Sequence, residues 1–87
     1  MKVVCKTVPT IAVFNPDERP RPYKFRYTDD GGNTREVVVG RVLCCRESKI
    51  GSYVVFCYEC QSAIDDYERK YELRYIVNEF RWELYKI

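Results

Sequence analysis

From Lys70 to Tyr75 polar and apolar side chains alternate without a break, with Tyr71, Leu73 and Tyr75 on one side and Lys70, Glu72 and Arg74 on the other. A period of two marks a β-strand covered on one face. An apolar run begins at Tyr53 and a second alternating run at Arg81, separated from this strand by polar corners at 64–68 and 78–80. The C-terminal part therefore predicts a three-stranded antiparallel meander, with Phe56, Tyr58, Cys60, then Tyr71, Leu73, Tyr75, then Trp82 and Leu84 facing the core. A long helix competes for the same residues. Asp65 and Glu68 have capping-box spacing, and Tyr67, Tyr71 and Tyr75 recur every four residues. Strands are preferred, because the stretch is rich in Tyr, Ile, Val, Phe and Trp, and a helix would scatter these around most of its circumference.

The N-terminal part carries the same kind of signal. Val3, Val4 and Cys5 read as a short or frayed lead-in, and Thr10 to Phe14 as the first core strand, with Ala12 and Phe14 inward. The Pro16–Pro22 segment holds three prolines and predicts a stiff extended connection. In the next strand, from Tyr23 to Thr28, Tyr23, Phe25 and Tyr27 face inward and Lys24 and Arg26 outward. The run Asp29, Asp30, Gly31, Gly32, Asn33 supplies the positive φ of a tight hairpin. A strand from Arg35 to Val39 returns from it, with Val37 and Val39 inward. Gly40 then permits a bend into Val42–Arg46, and Glu47–Gly51 forms a polar corner. Short strands at such spacing predict one all-β domain over residues 1–87, a small antiparallel barrel of about six strands.

The chain is 87 residues long, with 15 Lys and Arg against 13 Asp and Glu and a net charge of +2. Both signs are interspersed, as on an ordinary solvated surface. No N-terminal apolar run has the length of a signal sequence and no stretch approaches a membrane span, so a cytoplasmic protein without membrane association is expected. Five Cys is an odd number, and reduced thiols are expected.

Several of these stretches together resemble a known group. They are the first strand ending in Phe14 with its proline corner, Pro22–Tyr27, Gly40–Leu43, Tyr71–Tyr75 and Arg81–Lys86. The chain from Ala12 onward is similar to small uncharacterised proteins of Firmicutes, some encoded in conjugative or other mobile elements. The resemblance implies a compact SH3-like β-barrel. Its motifs are core and turn residues, so it brings no catalytic residue with it.

Cys57 and Cys60 form a C-x-x-C, and Cys44 with Cys45 completes the count of a four-thiolate zinc site. Strand positions three apart face opposite sides, so buried thiols acting as small hydrophobes are preferred over zinc, a regulated disulfide or a thioredoxin-like motif. No metal and no cofactor are expected. His is absent, which removes the commonest general base. The acidic pairs Asp29-Asp30 and Asp65-Asp66 sit in turns, where Asp bonds its own backbone. An enzyme is therefore the least favoured class.

The candidate binding residues are Arg19, Arg21, Lys24, Arg26 and Arg35, interleaved with Tyr23 and Tyr27. Such a strip can be a plain solvated face, or it can track phosphates and stack bases. The preferred reading is a monomeric, non-enzymatic adaptor that binds another protein through an exposed β surface. The alternative is a small barrel that binds single-stranded nucleic acid.

Overall fold

The computed structural model describes residues 1–87. Eight strands form: β1 (Val3–Val8), β2 (Thr10–Val13), β3 (Arg21–Thr28), β4 (Thr34–Val38), β5 (Arg41–Ile50), β6 (Tyr53–Ile64), β7 (Tyr67–Ile76) and β8 (Arg81–Lys86). All pairings are antiparallel. They make a five-stranded sheet in the order β1-β8-β7-β6-β5 and a three-stranded sheet in the order β2-β3-β4. Neither sheet closes on itself, which departs from the single closed sheet of about six strands expected from the spacing. The departure arises at two corners. Pro9, without an N–H to donate, parts β1 from β2, and Val39 with Gly40 parts β4 from β5. At each corner the chain leaves one sheet and enters the other. Glycine suits the Gly40 corner because a Cβ would sit 3.0 Å from the Gln61 carbonyl oxygen, closer than ordinary van der Waals contact.

The C-terminal meander forms as the alternation predicts. From Tyr67 to Ile76 each residue of β7 is in register with a residue of β6, so the competing helix is not formed. The turn between them is two residues, Asp65 and Asp66, both left-handed with φ of 53° and 66°. Two such residues give the type I′ twist that matches a hairpin. The Asp65 and Glu68 spacing thus marks a hairpin turn and not a helix cap. The last corner is a 3-10 turn at Val77–Glu79, closed by Phe80 at φ 52°. Asn78 Oδ1 accepts the Val54 N–H at 2.8 Å and fixes this corner to β6. At the β3–β4 hairpin, Asp29 Oδ1 accepts the N–H groups of Gly31 (3.0 Å) and Asn33 (2.9 Å), while Gly32 takes a φ of 80°.

Between the sheets lies one main core. The three-stranded sheet and its corner contribute Phe25, Tyr27, Val37 and Val39, and the five-stranded sheet contributes Tyr58, Cys60, Tyr71, Leu73, Tyr75, Trp82 and Leu84. Phe25 meets Tyr71 at 5.3 Å between ring centroids, and Trp82 lies 4.9 Å from Tyr75 and 5.3 Å from Tyr58. Each large side chain buried here stabilises the fold by roughly 1.5–3 kcal/mol. Ser62 ties the layers at the β4–β5 corner. Its hydroxyl bonds the Val38 carbonyl (2.8 Å), the Gly40 N–H (3.1 Å) and the Tyr71 hydroxyl (2.6 Å). On the far side of the five-stranded sheet a smaller cluster joins Val55, Cys57 and Ile76. Beside it the buried Glu72 carboxylate is held by Arg74 at 2.8 Å and Arg46 at 3.6 Å.

Several individual positions differ from expectation. Val3–Val8 is a full strand against β8, not a frayed lead-in. Tyr23 is 53% exposed, not inward, because the β2–β3 register slips there: Ile11 pairs with Lys24 but Ala12 with Pro22, leaving Tyr23 as the extra residue of a bulge. Phe14 lies beyond β2 and is largely exposed, touching Tyr75 edge-on at 5.9 Å. The segment after it is not uniformly extended; it turns at Asp17 (φ 62°), with the Glu18 N–H bonded to the Asn15 carbonyl. Residues 47–50 continue β5, so the corner shrinks to Gly51 and Ser52. No helix of the chain is long and apolar enough to cross a membrane.

Candidate functional site

The three-stranded sheet covers the core with one face and turns the other to solvent. Register fixes what that outer face carries. Ile11 of β2, Lys24 of β3 and Val38 of β4 form one cross-strand row, Arg26 stands opposite Glu36, and Val13 stands opposite Arg21. Cross-strand partners share a face, so these side chains are neighbours. Ile11 is 57% exposed, Val38 54% and Val13 47%. Large apolar side chains are thus left in water at three positions around a row of cations. β2 lies at the edge of its sheet and pairs only with β3, so its other edge offers unpaired backbone groups.

The five candidate cations separate into two groups. Arg21, Lys24 and Arg26 lie on the outer face of the three-stranded sheet. Lys24 Nζ is 2.9 Å from Glu36 Oε1, and this bond holds the Glu36 carboxyl below its usual range. Arg21 and Arg26 form no ion pair. Arg19 lies elsewhere, on the β2–β3 connector, with its guanidinium 5.2 Å from the Phe56 ring centroid. Its nitrogens reach the Cys45 carbonyl at 3.5 Å and Glu47 at 3.8 Å. Arg35 joins two turns, bonding Asp29 at 3.0 Å in the β3–β4 hairpin and Asp65 in the β6–β7 hairpin. The Asn33 N–H and then Arg35 keep the Asp29 carboxyl below its usual range. Tyr27 is buried in the core, so of the two interleaved tyrosines only Tyr23 is exposed beside the cations.

Ile11, Val13 and Val38 are members of this surface that the reading of charged residues missed. A signal was present in the strand Thr10–Val13, where the small Ala12 takes the inner side and the two large β-branched residues the outer.

The cysteines do not gather into a site. Cys60 belongs to the main core and Cys57 to the small cluster on the opposite face of the same sheet, as a three-residue strand spacing requires. Burial pushes the Cys60 thiol up to about 12 and raises Cys57 as well. Of the acidic pairs, Asp29 bonds the backbone of its own turn, Asp30 pairs with Lys2 at 3.0 Å and Asp65 with Arg35, and Asp65 and Asp66 form the left-handed turn between β6 and β7.

Fold and surface together define an all-β protein of two antiparallel sheets with one amphipathic outer face. No family model matches the chain, and no curated protein or solved structure matches it.

Proposed function

We propose that the protein is a non-enzymatic interaction module that binds a partner protein through the outer face and free edge of its three-stranded sheet. The observation that carries this reading is the row Ile11, Lys24, Val38 with Val13 beside it, apolar side chains held in water on a rigid sheet. Scattered exposed apolar residues are ordinary, whereas three large ones flanking a row of cations on one face give the mixed apolar and charged surface that interaction sites use. The fold is read the same way. With β1–β2 and β4–β5 each taken as one bent strand, six strands succeed one another around the core, which supports a small barrel of SH3-like kind.

The experiment compares capture and rebinding by the wild-type chain and two variants. Ile11→Asp places a charge in the row, and Leu43→Asp places one on β5, outside it. Both positions are exposed, so each change costs within about 0.5 kcal/mol of stability. A captured protein, purified and rebound, is expected to lose affinity for Ile11→Asp and not for Leu43→Asp. Equal rebinding to both would overturn the reading.

Single-stranded nucleic acid is the second reading, favoured by the exposed Tyr23 close to Arg21 and Lys24, where a base can stack and phosphates be met. Its mark is an affinity that falls steeply with salt.

A further inference from the structure

We infer that the occupant of this surface is an extended acidic segment of the partner protein, one that adds as a strand to the free edge of β2 and turns both apolar side chains and carboxylates to the outer face. This rests on the protein-binding reading above and names the chemistry of the partner.

The edge sets the form. β2 has a neighbour on one side only, so an added strand gains main-chain hydrogen bonds regardless of its sequence. Every second side chain of that strand then lies on the outer face beside Ile11 and Val13, where an apolar residue extends the row of Ile11 and a carboxylate two positions along lies in the row of Val13 and Arg21. Charge sets the composition. Arg21, Lys24 and Arg26 on this face are opposed by Glu36 alone, three cations less one carboxylate, so the face carries +2, equal to the net charge of the whole chain. The rest of the chain sums to neutrality. Lys24 already holds Glu36, whereas Arg21 and Arg26 have no carboxylate partner and present planar forks suited to one. Ile11, Val13 and Val38 standing among the cations favour an acidic peptide over a phosphate backbone, which gains little from apolar contacts.

The test uses the full, isotope-labelled chain titrated with short blocked peptides in which threonine fills every second position and the positions between alternate valine with glutamate, valine with serine, or valine with lysine, and with a mixed single-stranded oligonucleotide. The glutamate peptide is expected to shift the amides of Thr10–Val13 and to bind about tenfold more tightly than the serine peptide. The double variant Arg21→Glu, Arg26→Glu should abolish that preference while keeping a dispersed spectrum, since neither arginine makes an ion pair in the fold. Equal binding of glutamate and serine peptides at β2 overturns the acidic partner and leaves protein binding standing. If no peptide shifts β2, β3 or β4 at millimolar concentration, both fall. Shifts with the oligonucleotide alone also overturn both and assign the face to nucleic acid.

Discussion

Replacing Ser62 with alanine removes one oxygen and, on the geometry, three hydrogen bonds. The side chain is buried, and its single proton is directed to the Val38 carbonyl at 2.8 Å. Its lone pairs are then left to accept the Gly40 N–H at 3.1 Å and the Tyr71 O–H at 2.6 Å. Tyr71 is itself fully buried and its hydroxyl has no other partner, so Ser62→Ala strands a phenol in the core. A net loss of about 1 kcal/mol per bond, with a further 1–3 kcal/mol for a stranded buried group, gives a destabilisation of about 4–6 kcal/mol. That is a large share of the total for a domain of this length, on the order of 4–13 kcal/mol. Urea unfolding is the assay, and the midpoint should drop while the slope stays unchanged, since the native fold is retained. Adding Tyr71→Phe to the Ser62→Ala background should then cost less than in the wild type, by about 1 kcal/mol, because its partner is already gone. A loss below about 0.5 kcal/mol, or strict additivity of the two changes, refutes the assignment of Ser62 as the tie between sheets.

Trp82→Ala should cost about 3–5 kcal/mol, since the indole packs between Tyr58 and Tyr75 and leaves a cavity, and thermal unfolding measures it. Stability should decline on both sides of neutrality. Burial raises Cys57, Cys60, Tyr58 and Tyr71 above their ordinary values of 9.0 for the thiols and 10.0 for the phenols, so the unfolded chain sheds protons first and stability falls as pH rises above 9. Asp29, Asp30, Glu36 and Glu79 are lowered by their bonds from ordinary values of 3.8 or 4.5, so their contribution is present above those values and is lost as pH falls below them. Denaturant midpoints across pH check both limbs, and a profile still rising above pH 9 contradicts the burial of these groups. A thiol reagent at pH 8 should label the exposed Cys5 and Cys44 quickly and Cys57 and Cys60 only at the rate of unfolding, with mass spectrometry reading the sites.

The parts of the fold that were legible in advance are those set by local chemistry. Tyr71, Leu73 and Tyr75 alternate with charged residues because one face of β7 is covered, and Asp29 to Asn33 form a turn because Asp and Gly stabilise its backbone on their own. What was not legible depends on pairing across the chain. Tyr23 reads as inward in isolation, and only the slip between Ile11 and Ala12 turns it to solvent. Pro9 and Gly40 mark interruptions, but that each hands the strand from one sheet to the other follows from which strands lie alongside. The same is true of the cations. Arg19 and Arg35 sit close to Arg21 and Lys24 in sequence or sign, yet Glu47 and Asp65, distant in the chain, draw them away from the face that the other three share.

In the proposed function, the outer face and free edge of the three-stranded sheet are where a partner binds. The most direct measurement is an amide-shift map of the labelled chain with a captured and purified partner protein. Changes concentrated in Thr10–Val13, Arg21–Arg26 and Thr34–Val38 are expected, with slowed amide exchange along β2 as its free edge becomes paired. Changes running instead along Arg41–Ile50, with β2 unaffected, would contradict the proposed function and move the interface to the edge of the five-stranded sheet.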